Sequence, residues 1–270
     1  MSLDKKKILE LRLQYRTLIE IAKEFNVSRS LIGMYLKDIY NNVDLETRDN
    51  LDNVRKYLKH KKRDKINIDE ISNYELGILW GIGNWCESNG IFVLRHRNKY
   101  FLKQIKKYTD SIIYEQKSRT GIQYVLKIFN FDINSLVNLG WSERNSEVRV
   151  MPVLDDYKDF LRVYIELHGC LDYSLRYKKK DKSVKYKGLR LRIYGNKGIV
   201  EDINRILSEK CGVGVKTIQG VKSNNKTFYV AYASFVEIDR IYNWIFDYPY
   251  CKEYWDEVEG KMREPVIWVW

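Results

Sequence analysis

The spacing of apolar residues predicts a helical region at the start of the chain. Apolar positions recur every three or four residues over 6–15, 18–25 and 29–39, which indicates three short amphipathic helices. Asn26 tolerates a positive φ and predicts a tight turn before the third helix. Ser28 is a good N-cap for that helix. The arrangement is typical of a helix-turn-helix.

Alternating apolar and polar residues predict antiparallel strands further along the chain. In residues 189–194, two leucines and an isoleucine point to one face, whereas Arg190, Arg192 and Tyr194 point to the other. Residues 91–97 form the equivalent predicted strand of an earlier hairpin. Other segments have strand or helix patterns: strands over 111–119, 122–129, 216–222 and 226–234, and helices over 196–210 and 238–246.

One pattern occurs twice. The apolar segments Glu75-Leu-Gly-Ile-Leu-Trp-Gly-Ile-Gly83 and Leu161-Arg-Val-Tyr-Ile-Glu-Leu-His-Gly169 each run into a hairpin. Each hairpin is then followed by a helix, two strands and another helix. Such self-similarity predicts two related units within one chain.

These nonapeptides resemble the LAGLIDADG motif of homing endonucleases and of proteins derived from them. Gly77, Gly81 and Gly83 match its third, seventh and ninth places, while Glu166 and Gly169 match the sixth and ninth places in the second copy. In that family, two such helices pack side by side, and small residues let their backbones approach.

The resemblance implies an α+β fold: two pseudo-symmetric LAGLIDADG-type αββαββα repeats with saddle-shaped antiparallel sheets, preceded by an all-α helix-turn-helix domain. The concave polar faces of the sheets would lie in the major groove. The expected domains are a helix-turn-helix over 1–43, a basic linker over 44–70, a first repeat over 71–150, and a second repeat with a C-terminal tail over 151–270.

The eighth place of each motif holds an acid in that family, and the two acids bind a divalent metal over the scissile phosphates. Here those places are Ile82 and His168. Isoleucine has no lone pair, and imidazole suits softer metals than Mg²⁺. We therefore expect no catalytic residue, metal site or cofactor. In an alternative alignment of the first motif, Gly90 takes its ninth place and Asn89 its eighth. In this alignment Gly77, Gly81 and Gly83 have no role.

Composition agrees with a nucleic-acid partner. The chain has 270 residues, a formal net charge of +12 and 44% apolar residues. Phosphate contact is the usual role of such a charge. An AT-rich genome would explain many lysines and tyrosines but not the net excess. The four cysteines lack zinc-ligand spacing, and no signal peptide or membrane span is present, so a cytoplasmic, nucleoid-associated protein is expected.

Arg29 is suited to a bidentate contact with guanine, and Lys37 to a phosphate contact. The alternative to a DNA-binding helix-turn-helix at the start of the chain is a helical hairpin that only packs on the larger domain. The second repeat has a long basic hairpin connection over residues 178–187. This connection either reaches phosphates of the DNA or is a solvated loop. The predicted DNA-binding residues are Ser28, Arg29, Ser30, Met34, Lys37, Arg95, Arg97, Lys178, Lys180, Arg190, Arg192 and Tyr194.

The sequence thus predicts a sequence-specific double-stranded DNA-binding protein, monomeric on an asymmetric site. It would be a transcriptional or mobile-element or phage regulator derived from a homing endonuclease. An active Mg²⁺-dependent endonuclease using Glu166 is the first alternative, and an RNA maturase is the second. Otherwise Glu166 is a charge near a helix end, and Asp172 is an ordinary strand or turn residue. The tail over 255–270 either folds back onto the core or contacts another copy.

Overall fold

The chain folds into two units, Met1–Asp64 and Lys65–Trp270, each with its own hydrophobic core. A computed structural model describes residues 3–14, 16–60, 66–119, 121–129, 131–143, 146, 148–178, 184–248 and 250–269.

The first unit is all helical. Its helices are α1 (Lys5–Leu13), α2 (Leu18–Glu24), α3 (Arg29–Asn42) and α4 (Leu45–His60). Thr17 and Glu20 form a capping box at the start of α2. Asn26 adopts a left-handed φ of 52°, and the Ser28 hydroxyl accepts a 3.2 Å hydrogen bond from the Leu31 amide. The three predicted helices and the turn between the last two are therefore present.

The structure divides the chain differently from the predicted boundaries. Most of the segment expected to be a basic linker is α4, and Leu51 and Val54 of this helix are buried. Burial of these two side chains places α4 in the first unit, which extends to Asp64. The basic residues 61–65 lie outside the described residues.

The turn at Asn26 leads to a first prediction. Asparagine tolerates a left-handed conformation because its short polar side chain can hydrogen-bond to nearby backbone, which alanine cannot do, so Asn26→Ala is expected to destabilise the first unit by about 1 kcal/mol. Asn26→Gly, which removes the Cβ, is the control and is expected to cost nothing. Chemical denaturation and hydrogen exchange of the α2 and α3 amides measure the stability of both variants. Equal stability of the two variants would show that the turn relaxes.

The second unit contains two repeats of seven elements. The first repeat is α5 (Asn73–Ile82), β1 (Gly83–Cys86), β2 (Ile91–His96), α6 (Lys99–Lys106), β3 (Ile113–Ser118), β4 (Gly121–Phe129) and α7 (Ile133–Asn138). The second is α8 (Lys158–His168), β5 (Gly169–Tyr177), β6 (Lys185–Gly195), α9 (Lys197–Cys211), β7 (Gln219–Val221), β8 (Asn224–Tyr232) and α10 (Phe235–Ile245).

Both sheets are antiparallel and share one topology. Their strand orders are β1-β2-β4-β3 and β5-β6-β8-β7. The last motif residues occupy matching places, since Gly83 pairs with Leu94 and Gly169 pairs with Ile193. The expected fold of two αββαββα repeats is confirmed by this element order and register.

The two motif helices, α5 and α8, pack against each other in the centre of this unit. A Cβ at Gly77 would overlap Val163 and lie 3.0 Å from the Phe160 carbonyl oxygen, so only glycine allows this approach. Helix α5 ends at Ile82, and Gly83 begins β1. The alternative alignment of the first motif, which extends the helix to Gly90, is therefore wrong.

The C-terminal tail forms α11 (Lys252–Arg263) and β9 (Val266–Val269). Trp255 is buried, and β9 pairs with residues 185–188 of β6. The tail therefore folds back onto the core, as one of the two expectations proposed, and covers an edge of the second sheet. Within the described residues, no helix is long and apolar enough to cross a membrane.

Candidate functional site

The second sheet has an apolar face and a polar face, as its alternation predicted. Leu189, Leu191 and Ile193 of β6 are buried in the core. Arg190, Arg192 and Tyr194 lie on the opposite face and are partly exposed. The neighbouring strand adds Tyr229, whose ring centroid is 5.4 Å from that of Tyr194. This face thus combines cationic and aromatic side chains.

Asp172 joins both arginines of this face. Its carboxylate accepts hydrogen bonds from Arg190 Nε at 3.0 Å and Arg190 Nη2 at 3.1 Å, and also one from Arg192 Nη2. Burial alone would raise the pKa of Asp172, but hydrogen bonds to the two guanidinium groups and their charge hold it below its ordinary value. Asp172 is a strand residue, as expected, but its pairing opposite Arg190 in the β5–β6 register, which gives it two arginine partners, was not predicted.

The first sheet presents a comparable face, part of which sequence reasoning missed. Arg95 of β2 is exposed, and Arg97 is exposed just beyond the end of that strand. On β4, Gln123 and Lys127 share the face of Arg95, because Val125 between them pairs with Arg95. The alternation of polar residues in the predicted strand over 122–129 was the signal that could have identified them.

The exposed surface of α3 contains the predicted residues of the first unit. Arg29, Ser30 and Lys37 are exposed, and Met34 is 68% exposed. Ser28 is also exposed, but its hydroxyl caps the helix. The opposite side of α3 is anchored by buried Ile32 and Ile39. The four exposed side chains thus project away from the core of their unit.

The basic connection of the second repeat is only partly described. Lys178 is exposed just after β5, and its amide donates a 3.0 Å hydrogen bond to the Val184 carbonyl oxygen. Lys180 lies outside the described residues.

The eighth places of the two motifs lie at the ends of α5 and α8. Ile82 is buried and only 6% exposed. His168 Nε2 donates a 3.0 Å hydrogen bond to the Gly81 carbonyl oxygen, and its ring lies 4.7 Å from that of Tyr164 between centroids. His168 thus connects the two motif helices, and this nitrogen cannot bind a metal at the same time.

Glu166 lies in the last turn of α8, as expected for a charge near a helix end, but its carboxylate is buried and only 7% exposed. One oxygen accepts hydrogen bonds from the Cys251 amide at 3.0 Å and Trp255 Nε1 at 2.6 Å, and the other accepts one from the Tyr74 hydroxyl. Burial raises the pKa of Glu166 to about 7, although these three donors oppose the change. The burial of Glu166 was not predicted from sequence because the donors come from distant segments.

The described residues at the motif ends do not fit a hard divalent cation. A cavity of about 210 Å³ lies beside Gly81 and His168, and Arg149 and Lys226 contribute to its lining, whereas no carboxylate does. The carboxylates of Glu166 and Asp172 are occupied by other donors. Within the part of the chain that the structure describes, no group of three histidine, cysteine, aspartate or glutamate residues could hold a metal. Mg²⁺ requires several oxygen ligands, which the described residues at the motif ends do not supply.

Solved structures with a similar backbone include LAGLIDADG homing endonucleases. I-LtrWI bound to target DNA has 17% identity and a TM-score of 0.46, over 73% of this chain and 92% of that chain. I-SmaMI bound to uncleaved DNA target with calcium ions has 10% identity and a TM-score of 0.46, over 72% and 92%. I-GzeII in complex with DNA target has 14% identity and a TM-score of 0.42, over 72% and 91%. No family profile matches the sequence, and no curated protein does.

Proposed function

We propose that this chain is a sequence-specific double-stranded DNA-binding protein, a regulator of transcription or of a mobile element or phage, that does not cleave its site. The observation that carries the proposal is the polar face of the second sheet, where Arg190, Arg192 and Tyr194 alternate with buried core residues. An antiparallel ribbon of this kind can enter the major groove and present its side chains to base edges.

The first unit supports the same function. In the proposed helix-turn-helix, α3 enters the major groove with its N-terminal residues nearest the bases, so Arg29 and Ser30 contact base edges and Lys37 contacts phosphate. The net charge of +12 supplies a salt-dependent attraction to the duplex. Arg95, Arg97 and Lys178 add to this attraction from the second unit.

The motif ends support the proposed absence of cleavage. Ile82 contributes no metal ligand, and His168 is bonded to Gly81. Because the two repeats differ in sequence within one chain, a monomer would recognise an asymmetric site. DNA bending by the paired sheets would add to specificity at positions without direct contact.

Selection from a random duplex library with Mg²⁺ present tests this proposal. Both the retained molecules and any newly made ends are sequenced. We expect one long asymmetric motif without new ends. New ends inside the motif would establish an active endonuclease instead, and enrichment of no motif would contradict sequence-specific recognition. A parallel competition with structured RNA tests the maturase alternative.

Arg29→Ala is expected to weaken binding to the selected duplex about tenfold, because a bidentate guanine contact is lost. It should also relax selection at one base pair. Arg263→Ala, which removes the same charge from the exposed end of α11, is the control. Dissociation constants at fixed salt measure both. If the two variants weaken binding equally at every sequence, α3 does not read bases.

A further inference from the structure

Asp172 occupies a place where a negative charge should weaken DNA binding. It lies on the polar face of the second sheet, with its side chain 28% exposed, between Arg190 at 30% and Arg192 at 24%. The three side chains together carry a net charge of +1, from two arginines and one aspartate. If this face supplied only electrostatic attraction, Asp172 would reduce it.

The geometry instead suits orientation of the arginines. Arg190 uses Nε and Nη2 in a bidentate contact with the carboxylate. A guanidinium has five N–H donors, so this contact leaves both hydrogens of Nη1 and one of Nη2 on the opposite edge. Among the described residues, no acceptor lies at Nη1. Two adjacent donors remain, as a guanine O6 and N7 pair requires.

Arg192 is held from two sides. Its Nη2 donates to the same carboxylate, and its Cζ lies 5.5 Å from the centroid of the Tyr194 ring. Tyr194 packs against Tyr229, whose hydroxyl donates a 2.5 Å hydrogen bond to Gln219 Oε1. The array thus extends across the four strands β5, β6, β8 and β7, which limits the rotamers open to Arg192.

We infer that Asp172 is a positioning residue that orients Arg190 and Arg192 to read guanine in the major groove, so that it increases specificity at the expense of general affinity. This inference rests on the proposed function. A fixed guanidinium loses less conformational entropy on binding than a mobile one, and a misplaced base leaves its donors unpaired. Orientation therefore contributes to discrimination rather than to attraction.

The variant Asp172→Asn separates general attraction to DNA from discrimination between bases. On random-sequence duplex, the variant is expected to bind more tightly than the wild type and with a steeper salt dependence, because one negative charge is removed. On the selected duplex, its preference over a version with the contacted G·C pairs replaced should fall by about tenfold. Glu115→Gln is the matched control, since Glu115 is exposed on β3 and makes no ion pair among the described residues. It removes a negative charge from the other side of the first sheet and should leave the preference unchanged.

Arg190→Lys gives a second readout, since it keeps the charge and removes the planar fork. It is expected to lose the preference without gaining general affinity. If Asp172→Asn keeps the full preference, or both aspartate and glutamate variants change it equally, the positioning role is overturned while specific binding stands. If the wild type selects no motif, both the proposed function and this inference fail.

Discussion

Glu166→Ala is expected to lower the free energy of unfolding of the second unit by about 4 kcal/mol, because three buried donors lose their acceptor. Those donors are the Tyr74 hydroxyl of α5, the Cys251 amide and the indole of Trp255. Since Cys251 and Trp255 hold the start of α11, that helix should exchange its amide hydrogens first. Chemical denaturation with hydrogen exchange measures both effects.

Glu166→Gln is the matched control. Its amide oxygen can accept from Cys251 and Trp255, and its NH₂ group can donate to the Tyr74 hydroxyl oxygen. The glutamine variant should therefore remain much closer to the wild type than the alanine variant. If alanine costs no more than glutamine, the three donors find water, and the carboxylate does not hold this part of the structure.

The difference in stability between the wild type and Glu166→Gln is expected to depend on pH. The pKa of Glu166 is raised to about 7 in the folded protein, above its ordinary value in an unfolded chain. Its contribution to stability is complete below about pH 4 and is lost as pH rises to about 7. The wild type should therefore lose about 3 kcal/mol relative to Glu166→Gln over this range. A constant difference between the two proteins would show that the pKa is not raised.

Local patterns predicted the elements that depend on local interactions. The turn at Asn26, the cap at Ser28 and the two faces of β6 each follow from a few consecutive residues. Repetition of the glycine-containing motif predicted the two central helices. These features were predictable because helix capping, turn geometry and strand alternation involve neighbours in sequence.

Contacts between distant segments were not predictable in the same way. The hydrogen-bond partners of Glu166 lie 85 to 92 residues away along the chain, so its sequence neighbours gave no indication of burial. Asp172 meets its arginines only through strand register. Helix α4 looked like a linker because most of its residues are polar, and within residues 45–55, whose burial is described, only Leu51 and Val54 are buried.

Gly77→Ala is expected to destabilise the second unit by about 3 kcal/mol, since inserting a methyl group into a well-packed core forces its neighbours apart. The added Cβ would overlap Val163 Cγ1 and lie 3.0 Å from the Phe160 carbonyl oxygen. Val163 can rotate at some cost, but a backbone oxygen moves only if α8 moves. The substitution should therefore separate the two motif helices.

Gly260→Ala provides the control for helix propensity. Gly260 lies in α11, and no atom would lie within 4 Å of an added Cβ. Alanine there should stabilise the protein by about 1 kcal/mol, because glycine is a poor helix former. The opposite signs separate steric overlap from intrinsic propensity. Thermal and denaturant unfolding measure both variants, and stabilisation by Gly77→Ala would mean that α5 and α8 do not approach as closely as described.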